Sequence, residues 1–379
     1  ASRLALPPMV GFLVGGFVLH YLGVESTQAL REVADLGVTL MLFTIGLKLD
    51  LKSLLKIQIW GVASAHMLIT TIIFGVIIFV LGTSGVSVVA GLNIESAILI
   101  AFALSFSSTV FAVKVLEEKR EMNALYGQIA IGILIMQDLF AVLFLTASTG
   151  KVPSYMALGL LLLPFVRPVL YKIMDKVDYG ELLILYGLLL ALGGAAIFEW
   201  VGMKADLGAL LFGVLMANHR KASQLSKTLY GFKDLFLVGF FVNIGLSGEP
   251  GLNNLIIAVI LSIVMFAKVL LFFWLLLMTK LRSRTSFLAS LSLANYSEFG
   301  LIVAAIGVSN GWLSADWLIT IAIALSITFV LASPLNAAAN RLYSVNRLQL
   351  SRWQSSERIA EERSFDVRDA HVLILGMGR

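Results

Sequence analysis

The sequence predicts an all-α polytopic membrane protein, and three observations predict it. Hydrophobic residues fill 59% of the 379 positions against 13% charged, with a mean hydropathy of +0.93. No soluble domain can bury that much apolar surface, so the surrounding solvent is lipid. About twelve apolar segments follow one another, at 8–20, 27–47, 54–81, 94–115, 122–149, 153–174, 179–200, 205–218, 224–246, 252–280, 285–309 and 313–340. Between them, basic residues gather in alternate connections: Lys48, Lys52 and Lys56; Lys114, Lys119 and Arg120; Lys172 and Lys176; Arg220, Lys221 and Lys227; Lys280, Arg282 and Arg284; and from Arg341 onward. The intervening connections hold no charge (82–92), only Lys151 or Lys204, or the Glu249-Pro250 turn. The positive-inside rule places the basic group in the cytoplasm. The net charge of +5 is therefore a mark of topology, and no nucleic-acid partner is expected.

Taken in order, the first two segments open the bundle, with Glu32 and Asp35 near the start of the second and expected at the interface. Segment 94–115 is interrupted by Ser105, Ser107, Ser108 and Thr109. One back-bonded hydroxyl bends a helix slightly; four within five positions predict an unwound crossing.

Segment 122–149 carries Asp138 near its middle, beside Gln137. An acid at that depth costs roughly 2.5–3.5 kcal/mol on insertion scales and marks an ion pathway or proton relay. Desolvation favours a protonated carboxyl and a neighbouring cation favours the carboxylate. An acid held between the two exchanges a proton for a metal ion, the minimal chemistry of an antiporter. Gln137 adds an uncharged carbonyl oxygen.

Segment 252–280 carries Lys268, too deep for its ammonium to reach the interface. It is placed to pair with Asp138, to pair with Glu298, or to hold the carbonyl ends of a broken helix. Segment 285–309 is interrupted at Asn295-Tyr-Ser297-Glu298-Phe-Gly300. The two interrupted segments occupy corresponding positions beside Asp138 and Lys268, the arrangement of an inverted-repeat transporter.

Other polar residues are assigned less. Gln128 and Asn243 read as interhelical contacts, and His20, His66, His219 and His371 lack metal-ligand spacing. Cysteine is absent. After Ala339 the composition turns polar, so the domains are expected as 1–340 in the membrane, 341–370 as a helical cytoplasmic linker, and 371–379 as the start of a soluble domain. The strand 371–375 runs into Gly376-Met-Gly378-Arg379, the opening of a dinucleotide-binding turn. With no initiator Met and this unfinished domain, the native protein is expected to be longer.

These residues resemble the cation:proton antiporter-2 family, and within it the Kef-type potassium efflux systems. The resemblance covers nearly the whole membrane part, through Pro8–Gly16, Leu36–Asp50, Ala103–Val110, Asp206–Ala217, Phe232–Gly245 and Ser297–Gly300. Gln137-Asp138 is similar to the Kef-type variant of the ion-binding pair, and Lys268 falls on the intramembrane basic position. The family carries Glu where Lys48 stands, a departure that removes that acid's role here.

The resemblance implies an inverted-repeat antiporter fold of about thirteen helices, a homodimer in the bilayer, and elevator-like alternating access. It implies potassium and protons as substrates and no tightly bound cofactor in the membrane domain. Gly376, Gly378 and Arg379 would begin a regulatory domain that binds an adenine nucleotide or NAD(H). The expected function is potassium:proton antiport in a bacterial inner membrane, with Asp138 as carrier, helped by Gln137, Ser105, Ser107, Ser108, Thr109, Ser297 and Glu298. A sodium:proton antiporter of the same fold and a ligand-gated potassium channel are the alternatives. An enzyme is not expected: Asp138 and Glu298 are the sole pair an intramembrane aspartyl protease could use, and no motif supports it.

Overall fold

The computed structural model describes residues 8–48, 54–83, 92–148, 159–160, 162–177, 180–203, 205–246 and 250–362. Fifteen α-helices lie among them: α1 Pro8–Tyr21, α2 Gln28–Leu47, α3 Trp60–Thr83, α4 Ile94–Ser105, α5 Thr109–Glu118, α6 Leu125–Ser148, α7 Leu163–Lys176, α8 Glu181–Trp200, α9 Ala205–Met216, α10 Ala222–Gly245, α11 Leu252–Met278, α12 Ser283–Ser292, α13 Glu298–Ser309, α14 Ala315–Ala337 and α15 Ala339–Ser351. The excess over the predicted segments is accounted for by the two breaks and by α15. The strand expected at 371–375 and Gly376, Gly378 and Arg379 lie outside the described residues.

Five helices, α3, α6 (over Leu125–Leu145), α8, α11 and α14, are long and apolar enough to cross a bilayer. On α3, Leu68, Ile72, Val76 and Val80 recur every four residues and are all exposed, a stripe suited to lipid. Glu32 and Asp35 are exposed on α2, as an interfacial position requires.

The helices pack as two bodies. In the first, α2 packs against α9 and α10, α1 against α10, and α8 against α9. Gly46 and Gly213 allow the α2–α9 contact, since a Cβ on either would stand 2.3 Å from a backbone oxygen of the other helix. Leu40, Phe43, Leu190, Phe212 and Leu225 fill its interior.

In the second body, α3 packs on α4, α11 on α14, α13 on α4 and α14, and α12 on α6. It holds both broken helices. The first breaks after 12 residues and resumes for 10; the second breaks after 10 and resumes for 12. That reversal is what an inverted repeat produces.

Two boundaries differ from expectation. Residues 55–59 form turns, closed by the Ile59 amide on the Lys56 carbonyl, so α3 starts at Trp60. Among the described residues the polar linker is α-helical to Ser351 and then folds back along the core, with one 3-10 turn at Ala360–Glu362. Trp353 stacks on Trp274 at 4.9 Å, Lys280 pairs with Glu357, and Lys56 pairs with Glu361 at 3.0 Å. Gln354 accepts the Ser283 amide at 3.2 Å. Glu362 accepts the Arg282 amide and the Thr285 hydroxyl, so the first turn of α12 is capped by a residue far along the chain.

Candidate cation site

Neither break contains proline or glycine. At the first, Phe106 and Ser108 are extended, with ψ of 149° and 120°, and the helix restarts on the Ser108 hydroxyl, which accepts the Phe111 amide at 3.3 Å. At the second, the Ser297 hydroxyl accepts the Phe299 amide at 3.1 Å. Each break leaves carbonyls and amides that lipid cannot satisfy, so their partners define the site.

Lys268 supplies the donors. Its ammonium donates to the carbonyls of Leu104 (3.3 Å), Phe106 and Asn295 (3.0 Å), and it lies 5.3 Å from the Tyr296 ring centre. An ammonium has three donors, and here each meets the C-terminal end of a half-helix. Of the three roles open to Lys268, the structure places it in the last, holding carbonyl ends. His66, buried and stacked on Phe272 at 3.5 Å, packs one turn further along α11.

Gln137 and Asn295 supply the acceptors. The Ser107 amide donates to Gln137 Oε1 at 3.0 Å and the Ser108 amide to Asn295 Oδ1 at 2.6 Å. Gln137 Nε2 donates back to the Ser105 carbonyl at 3.3 Å. The Ser107 hydroxyl crosses to the Leu293 carbonyl at 3.0 Å, and the Ser105 hydroxyl bonds Phe102 of its own helix at 2.7 Å. The two crossed helices pack closely at Gly300, where a Cβ would stand 2.3 Å from the Ala103 carbonyl oxygen.

The acids occupy the opposite ends. Thr109, the first residue of α5, donates to Asp138 Oδ2 at 3.1 Å, and Glu298 is the first residue of α13. Helix N-termini favour negative charge and C-termini positive charge; the carboxyls and the ammonium obey that pattern. Asp138, Glu298 and Thr109 line one cavity of about 110 Å3, closed on the other side by Met41, Thr44, Ile45 and Lys48 of the first body. Asp138 and Glu298 are each 1% exposed, so their charges sit away from bulk water.

The sequence-predicted residues thus divide. Asp138, Thr109 and Glu298 share the cavity; Gln137, Ser105, Ser107, Ser108, Ser297 and Lys268 hold the helix ends around it. Asn243 accepts a hydrogen bond from Ser26 and joins α10 to the start of α2, whereas Gln128 is exposed in the first turn of α6 and bonds the Asn123 carbonyl just before that helix. Gln128 is therefore no interhelical contact, because it lies near the helix end. Thr44, Lys48 and Asn336 carry more than expected. Asn336, a lone amide in an apolar run, donates to the Leu291 carbonyl of α12 at 2.8 Å.

The cavity opens toward the face of the basic connections. It shares Lys48, Ile131 and Ile135 with a cavity of about 360 Å3, and Lys48, Val113 and Met122 with one of about 620 Å3. His219 lines the larger one, 3.3 Å from Asp175, and desolvation holds it below the ordinary histidine value against that carboxylate's pull. Lys48, Arg220 and Lys227 line that cavity with it.

A small cavity lined by two acids at crossed broken helices narrows the field, and comparison with known proteins decides it. The family described as sodium/hydrogen exchanger, transmembrane, matches residues 1–337. The chain belongs to that family. It is a family of transporters and not of enzymes. The chain is also similar to the glutathione-regulated potassium-efflux system protein KefC, 29% identical to that of Escherichia coli strain K12 and 28% to that of Shigella flexneri serotype 5b. Each alignment takes in all of this chain, which spans 62% of the length of these relatives. Among solved structures, the sodium proton antiporter MjNhaP1 from Methanocaldococcus jannaschii has the same fold, with a TM-score of 0.60 and 15% identity over 94% of each chain.

Proposed function

We propose that this exchanger exchanges potassium for protons by alternating access, with Asp138 as the group that holds either a proton or the cation. The observation that carries the reading is the placement of Asp138, hydrogen-bonded by Thr109 and buried in a small cavity beside Glu298. The similarity to KefC, a potassium-efflux protein by name, supports the ion.

One proton for one monovalent cation makes the exchange electroneutral. Lys268 supports that count, because its donors are committed to three backbone carbonyls and it does not line the acid-lined cavity. The protein works as a homodimer in a bacterial inner membrane, and the chain beyond α15 leads to a cytoplasmic nucleotide-binding regulatory domain. KefC's glutathione-regulated name and greater length support that last part. Sodium is the second reading, favoured by the shared fold with a sodium proton antiporter.

The test is proton flux in proteoliposomes with an internal pH dye, adding potassium or sodium to wild type and to Asp138→Asn. Potassium dissipating the pH gradient better than sodium, with a silent variant, is the expected result. A sodium preference overturns the ion. Potassium flux without protons, persisting in Asp138→Asn, makes the protein a pore and Asp138 structural.

A further inference from the structure

Three charged residues line the inner cavity: Asp138, Glu298 and Lys48. The lysine is at the C-cap of α2, so it belongs to the first body while both carboxyls belong to the second. It also lines each of the two larger cavities on the basic face, and it is the one residue common to all three. Lys48 thus stands where each outer cavity meets the acid-lined one. A basic residue at a helix C-terminus also steadies the helix dipole. That ordinary role affects stability and leaves cation affinity alone, so the two are separable.

We infer that Lys48 sets how tightly the transported cation is held from the basic face, as a tethered monovalent cation that competes for the acid-lined cavity. This rests on the reading of that cavity as the cation site. Among the described residues, the other charges lining the outer cavities are Lys56 and Glu361 in one, and Glu117, Arg220 and Lys227 in the other. None of these reaches the inner cavity, so their effect is that of a screened surface field. Lys48 acts at shorter range through less water, and removing its charge tightens cation binding by about three- to tenfold.

The experiment uses inside-out membrane vesicles with an acidified lumen and a pH dye, titrating potassium chloride at constant ionic strength. The half-saturating potassium concentration is measured for wild type, Lys48→Gln, Lys48→Met, Lys48→Arg, Lys227→Gln and Asp138→Asn. Either neutral variant at position 48 lowers it by about three- to tenfold, while Lys48→Arg and Lys227→Gln stay within about twofold of wild type. An unchanged value in Lys48→Gln and Lys48→Met overturns the inference. So does an equal shift in Lys227→Gln, which would make the effect a property of the whole face. Exchange that persists in Asp138→Asn overturns the cavity's reading itself, a separate failure.

Discussion

The two breaks are mirror images in length and each restarts on its own serine, Ser108 or Ser297, but they differ in what they borrow from elsewhere. The first, between α4 and α5, depends on side chains from elsewhere: Gln137 from α6, Asn295 from the other break, and Lys268 from α11. The second, between α12 and α13, restarts on its own Ser297, and its Tyr296 amide goes to Thr328 of the adjoining α14. Lys268 touches both, through Phe106 and Asn295. The difference teaches that an inverted repeat conserves the shape of a crossing without conserving who satisfies it. The two breaks depend on each other: Asn295 serves Ser108 with its side chain and Lys268 with its carbonyl, and the Ser107 hydroxyl serves the Leu293 carbonyl in return.

Removing the shared member has the largest expected effect. Lys268→Ala leaves three buried carbonyls without donors at once and should cost about 3–5 kcal/mol, read as a lowered melting temperature of the purified protein in detergent. A variant that melts with wild type would mean that the two breaks are held independently. Next, Asn295→Ala strands the Ser108 amide and should cost about 1–3 kcal/mol, while Ser297→Ala removes a local cap and should cost about 1 kcal/mol. Equal losses in the same melting assay would erase the asymmetry.

The smallest effect lies at the folded-back segment. Glu361's carboxyl is held below the ordinary carboxylate range by its own backbone amide first and by Lys56 second. A carboxyl depressed on folding stabilises above its unfolded value and loses that contribution as pH falls through the folded one. The Trp353–Trp274 stack should therefore loosen in acid, below the ordinary carboxylate range. Tryptophan fluorescence against pH, with Trp353→Phe as reference, measures it. Lys56→Gln should move the transition to higher pH; no movement would detach Glu361 from it.

Much of this arrangement is legible in the sequence because it is written in contrasts of polarity. The hydroxyl cluster at Ser105–Thr109 and the run Asn295–Gly300 stand out against apolar helices, and both are breaks. Asp138 and Lys268 stand out in the same way, and both are buried at the crossing. What is not legible is who meets whom. The choice of carbonyls over carboxyls for Lys268 depends on how two half-helices cross, which is tertiary geometry. Lys48 stands out in the sequence as a basic residue where the family carries Glu, but its place at three cavities is tertiary geometry. The fold-back after Ser351 is equally hidden, because Lys56 and Glu361 lie too far apart in sequence for any pattern to join them.

Glu362 gives that fold-back a mechanical meaning. Its carboxylate grips the first turn of α12, a helix of 10 residues and so about 15 Å long. Just past the far end of that rod is the Asn295 carbonyl that Lys268 holds. A short, hydrogen-bonded rod has little give along its axis, so Glu362 and the carbonyl held by Lys268 are kept at a nearly fixed distance. The folded-back segment and the crossing are thus tied to the two ends of one strut.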